Sequence, residues 1–148
     1  MQTYEIAAVA VAAVLGADAL VHVYWLTGRT WPAPDTRTLS LAVLNADVPF
    51  TPRVLAPLVL LLTAGAGAVL ARAGLLGTGL PGWAPAAGAY AVAAGLLLRG
   101  GAGVVWALGI GAGRGTLFYR LNIRLYTPVC LLLCAGAFIA AAGPAGRG

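Results

Sequence analysis

Asp18 and His22 stand four residues apart in VLGADALVHVYWL, residues 14–26, a stretch that is otherwise almost wholly apolar. That spacing puts a carboxylate and an imidazole on one helical face. Histidine, with an unperturbed pKa of about 6.5, suits proton transfer near neutrality, and a carboxylate one turn away orients the ring and stabilises its charged form. Arg99 and Arg124 lie in two further apolar stretches. Arginine binds a carboxylate, a phosphate or a developing oxyanion through its planar fork. Tyr24, Trp25, Asn45, Asp47, Tyr119, Asn122 and Tyr126 complete a set that would hold a substrate around a catalytic Asp18–His22 pair. No serine or cysteine stands beside a base in this set, so nucleophilic catalysis has little support. One histidine with scattered carboxylates is a poor metal site, and neither a metal nor another cofactor is expected.

The elements that must carry these residues follow from composition. The 148 residues are 61% hydrophobic and 9% charged, with a mean hydropathy of +0.92. Soluble domains usually carry about 25% charged residues, so this chain has too little polar surface for water. It reads as a single all-α integral membrane domain. Apolar runs at Ile6 to Leu26, Val54 to Leu70, Ala84 to Val105 and Val129 to Ala142 each make a span of roughly 20 residues with their flanks. Four transmembrane helices over about 6–26, 52–72, 84–106 and 118–142 are expected.

Arginine supplies all nine basic side chains. They stand at span ends rather than on one polar face, which argues against nucleic acid. Glu5 and the lack of a leading basic residue argue against a cleaved signal peptide despite the small-residue sequence GADA at 16–19. Arg29, Arg37 and Arg53 fall in the first connection and Arg114, Arg120 and Arg124 in the third, against Arg72 in the second and Arg147 at the C-terminus. An excess of arginine marks cytoplasmic loops, so the first and third connections are expected to be cytoplasmic.

Those two connections end alike, in LNADVPFTP (Leu44 to Pro52) and LNIRLYTP (Leu121 to Pro128). Both lead into a span from the same side, so the chain reads as two helical hairpins related by a parallel internal repeat. Threonine before proline is a natural helix start, which suits Thr51-Pro52. A helix beginning at Pro128 would be only about 22 Å long, too short for a core of roughly 30 Å. The fourth span is therefore expected to start near Phe118 and to kink at Pro128, which frees the carbonyl of Arg124.

Placed on these spans, every strongly polar group near the membrane core falls in the leaflet of the first and third connections. An ionisable residue in a span costs several kcal/mol unless paired or hydrated, so it usually faces the bundle interior and marks a site. A polar cavity lined by Asp18, His22, Arg99, Asn122 and Arg124 is one reading. In the other, Asp18 neutralises Arg99 or Arg124 and the remaining groups hydrogen-bond helices together. Cys130 and Cys134 share a face but lack Cys-x-x-Cys spacing, and the glycine-rich stretch from Arg99 to Gly115 has no phosphate-cradling pattern. It reads as a close-packing and loop segment, and WPAP at residues 31–34 as an ordered interfacial turn.

His22, Tyr24 and Trp25, then Trp31-Pro32, Leu44-Asn45, Phe50-Thr51-Pro52 and FYRLNIRLYTPVC at 118–130 together resemble a family of small bacterial membrane proteins known as a domain of unknown function. The resemblance covers nearly the whole chain and implies four membrane helices in a bacterial inner membrane. It supplies no activity. Two functions remain in view. One is a membrane enzyme doing acid/base chemistry, such as isomerisation, cyclisation or hydration, on a lipophilic substrate. The other is a non-catalytic carrier or binder of a small anionic or amphipathic molecule, or a subunit of a larger complex. The bilayer is the certain partner, and small-residue faces such as Gly95 with Gly103 would permit a homo-oligomer.

Overall fold

The computed structural model describes residues 1–144, so Arg147 lies outside the described residues. In chain order the elements are α1 (Thr3–Leu26), α2 (Thr36–Leu44), α3 (Pro52–Arg72), α4 (Trp83–Ala107), α5 (Leu117–Leu121), a π-helical turn (Asn122–Tyr126) and α6 (Thr127–Ala142). The described residues contain no strand. Four helices are long and apolar enough to cross a membrane: α1, α3, α4 and the compound span Leu117–Ala142. Their ends lie within three residues of those expected.

The spans pack as two antiparallel hairpins, α1 with α3 and α4 with α6, and α1 against α6 and α3 against α4 close the ring. Lipid tails are as apolar as leucine, so the helices associate through close packing rather than through escape from water. Glycine permits that approach: a Cβ on Gly88 would sit 2.6 Å from the Ala68 Cβ, and one on Gly100 would sit 2.7 Å from a Leu131 methyl. Arg72 closes the far end of the ring, donating from Nε to the carbonyl of Ala141 at 3.0 Å and from Nη2 to that of Gly143 at 2.5 Å. Those carbonyls belong to the frayed end of α6, which has no helical donors of its own.

Helix α2 is an element that the hydropathy pattern conceals. Asp35 caps it, accepting from the Thr38 amide at 2.7 Å and the Thr38 hydroxyl at 3.1 Å, and these bonds hold the Asp35 carboxyl below the usual carboxylate range. Asn45 ends it in the left-handed conformation at φ 57°, which asparagine tolerates better than most residues. Its side chain donates to the Gly111 carbonyl at 2.9 Å, and the Tyr126 hydroxyl donates to the Ala42 carbonyl at 3.2 Å. Both bonds tie the first connection to the third, so the two lie at one end of the bundle, as expected.

The two Thr-Pro pairs take different structures. Pro52 opens α3 at its first turn, although the Thr51 side chain makes no cap bond. Pro128 lies inside a continuous span that starts at Leu117. In place of a simple kink at Pro128, the five residues Asn122–Tyr126 widen into a π-turn, which the Thr127 amide closes by bonding the Asn122 carbonyl. A proline clashes with the carbonyl four residues back, and widening the turn before it moves that carbonyl aside.

The buried core is divided along the bundle axis. One cluster, centred on Val11, Leu15, Val69, Ala89, Ala93 and Ala137, fills the half nearer the second connection; Trp25, Leu39 and Leu55 form another beneath α2. Along α1 the residues between the clusters are Asp18 and His22; on α4 and the fourth span the same level holds Arg99, Gly103, Asn122 and Thr127. Gly88→Ala is expected to lower stability by about 1–3 kcal/mol, the usual penalty of overpacking, as measured by equilibrium unfolding in mixed detergent. Gly95→Ala, where an added Cβ meets nothing within 4 Å, should be neutral or stabilising by up to about 1 kcal/mol.

Candidate functional site

The α1 pair has the geometry its spacing implies. Nδ1 of His22 lies 2.8 Å from the Asp18 carbonyl oxygen and 3.3 Å from the Asp18 carboxylate Oδ1. A carbonyl oxygen only accepts, so Nδ1 carries the proton and Nε2 is the nitrogen left to accept one. The ring is set edge-on to Trp25 at 4.9 Å, Trp25 leans on Phe50 at 5.5 Å, and the Trp25 indole donates to the Trp31 carbonyl at 3.1 Å. Imidazole orientation is thus fixed by its own helix on one side and by the first connection on the other. The two members differ in access: the side chain of His22 is 10% exposed and that of Asp18 50%.

A second polar group joins α4 to the fourth span. Asn122 is completely buried. Its amide donates to the Gly103 carbonyl at 2.7 Å, and its Oδ1 accepts from the Thr127 hydroxyl at 3.2 Å and from Nη1 of Arg99 at 3.5 Å. In an α-helix, residues five apart point about 140° away from each other; the π-turn brings Asn122 and Thr127 back to one side. Gly103 completes the joint, because any Cβ there would collide with the Thr127 hydroxyl. The Arg99 guanidinium lies 5.1 Å from the centroid of Trp106 and 5.6 Å from that of Tyr126. Two aromatic faces and an amide oxygen hold this cation without any carboxylate.

The expected residues therefore divide into separate structures. Asp18, His22 and Trp25 form one group, and Arg99, Asn122 and Tyr126 the other. Tyr119 braces the third connection, its hydroxyl donating to the Ala107 carbonyl at 2.9 Å. Asp47 pairs with Arg37 at 3.2 Å on the exposed first connection, and Asn45 serves as the α2 cap, so neither lies in the membrane layer. Tyr24 and Arg124 are exposed. Among the described residues, no ion pair links Asp18 to Arg99 or Arg124.

Gly103, Trp106 and Thr127 are members of the second group that spacing alone did not single out. Arg99, Gly103 and Trp106 follow one another at intervals of four and three, so their shared face was legible; the Asn122–Thr127 interval of five was not. Gly103 is enclosed here and therefore cannot serve with Gly95 as an oligomer face. A cavity of about 250 Å³ lies at the opposite end of α3 and α4, lined by Gly67, Ala68, Leu76, Leu80 and Pro85. Its one polar side chain is Thr78, whose hydroxyl accepts from the Leu80 amide at 3.3 Å, and none of the titratable residues singled out above lines it.

Fold and layer together define a small four-span helical membrane protein with a polar level in one leaflet. The chain belongs to the DUF3995 family, described as a protein of unknown function, whose profile matches residues 6–137. No curated protein and no solved structure matches it. Asn122→Ala should destabilise the fold by about 1–2 kcal/mol and Thr127→Ala by less, with a coupling of roughly 0.6 kcal/mol between them, in line with polar contacts between membrane helices. A double-mutant cycle of detergent unfolding measures both.

Proposed function

We propose that this protein is a small membrane enzyme performing acid/base chemistry, an isomerisation, cyclisation or hydration, on a lipophilic substrate that reaches the polar layer from the bilayer. The observation that carries the reading is the Asp18–His22 arrangement: both acceptors engage Nδ1, which leaves Nε2 to take a proton from substrate and return it. Asp18 is the positioning partner, and its half-exposed carboxylate stabilises the imidazolium in between. Nothing in this scheme calls for a cofactor. The alternative, a carrier or a subunit of a larger complex, draws support from the second group, in which Arg99, Asn122 and Thr127 bond within the chain.

The proposed setting is a bacterial inner membrane with the first and third connections in the cytoplasm. Six arginines lie in those two connections against Arg72 and Arg147 on the other side. A reporter fused to the C-terminus should be active only outside the cytoplasm; activity inside would reverse the assignment.

The catalytic reading is tested by His22→Asn, which keeps a hydrogen-bonding side chain. Extracted lipids from cells carrying the wild type and the variant, at equal amounts of folded protein, are compared by mass spectrometry. A product pool that depends on the wild-type chain should fall with the roughly 10²- to 10⁴-fold loss that follows removal of a proton-transfer group. Unchanged lipid profiles with folded His22→Asn would transfer the function to the carrier or subunit alternative.

A further inference from the structure

Every acidic side chain of this protein already has a partner. The chain contains four: Glu5 bonds the Gln2 amide at the far end of the bundle, Asp18 engages His22, Asp35 caps α2, and Asp47 pairs with Arg37. Of the arginines in the described residues, Arg37, Arg72, Arg99 and Arg114 are likewise engaged. Arg29, Arg53, Arg120 and Arg124 are exposed and, among the described residues, have no hydrogen-bonded or ionic side-chain partner.

Two of these four share a helical face. Arg120 and Arg124 are one turn apart at the start of the fourth span, where two like charges repel unless an anion lies between them. Depth sharpens the requirement. Measured from the middle of Leu117–Ala142, Arg124 sits roughly 8 Å and Arg120 roughly 14 Å toward the loop end, against a hydrocarbon half-thickness of about 15 Å. The Arg124 Cα therefore lies at the level of acyl chains. Helical side chains lean toward the N-terminus of their helix, which for this span is the headgroup side. A long stem leaning that way extends back along the turn that carries Arg120, so both guanidiniums belong to the headgroup end of the span.

We infer that Arg120 and Arg124 form a lipid-facing clamp for the phosphodiester of an acidic phospholipid headgroup. Zwitterionic headgroups are disfavoured because their own cation would meet the same unneutralised arginines, whereas an acidic lipid supplies the missing negative charge. Guanidinium groups bind phosphate oxygens in bidentate pairs. This site is independent of the Asp18–His22 chemistry.

Native mass spectrometry of the full chain, delipidated in neutral detergent and titrated with phosphatidylglycerol or phosphatidylcholine, tests the clamp. Wild-type protein should retain phosphatidylglycerol in preference to phosphatidylcholine. Arg124→Gln and Arg120→Gln should each weaken retention about fivefold, the equivalent of ~1 kcal/mol per basic residue near the surface, while Arg53→Gln changes it little. Because the single variants remove only exposed side chains, unfolding temperature in neutral detergent provides the folding check; if either variant fails it, Arg124→Lys replaces it and should show an intermediate loss. Equal retention of the two lipids, equal retention by the wild type and the glutamine variants, or displacement of the lipid by inorganic phosphate at comparable concentration would each overturn the proposal.

Discussion

Inside a bilayer an amide has no water to bond, so a buried asparagine must be met completely by its own protein. Asn122 is met by the Gly103 carbonyl, the Thr127 hydroxyl and Arg99, and the rest of the loop-end half follows from that joint. It fixes the height of α4 against the fourth span, since sliding either helix by one residue would separate Asn122 from the Gly103 carbonyl. It requires the π-turn, because only a widened turn presents residues 122 and 127 together. It also leaves Arg99 facing Trp106 and Tyr126, and Tyr126 in turn reaches across to Ala42 in α2. A local hydrogen-bonding demand thus propagates from the membrane interior to the first connection.

The spans themselves were legible because hydropathy over some twenty residues is a strong signal that no tertiary context overrides. The gathering of polar residues at one level was legible for a related reason: depth along a helix follows directly from residue number. Direction around the helix is less secure. Arg124 counts as a cavity residue by depth, yet the π-turn and the demands of Asn122 turn it outward. Asn45 and Asp47 were placed near the site by their likeness to Asn122 and its neighbours, but they sit in a solvated connection whose geometry is governed by the Asp35 cap and the α2 helix. A nine-residue helix with a polar first turn leaves little trace in a hydropathy pattern, and its cap signal is read only once a helix is expected there.

The same contrast explains why two nearly identical strings, LNADVPFTP and LNIRLYTP, end in different structures. In the first, the stretch between asparagine and proline is non-helical and leads to a fresh helix start, so Pro52 loses no bond. In the second, the chain is already helical from Leu117, and proline must be accommodated from within. The shared letters were therefore a sound guide to the end of the bundle from which each span is entered and a poor guide to where the helix begins or to its backbone conformation. Asn45 closes a helix and bonds a loop carbonyl, while Asn122 closes a helical pair; in both strings the asparagine is used as a bond to a distant carbonyl.

The two ends of the bundle manage charge in opposite ways, and this asymmetry connects the site to its surroundings. At the far end Arg72, the one arginine there among the described residues, donates to backbone carbonyls. At the loop end six arginines stand around a polar layer that contains a single carboxylate. Acidic lipid headgroups are the counter-charge that an end so rich in arginine calls for, and Arg120 and Arg124 stand where such a headgroup would meet them.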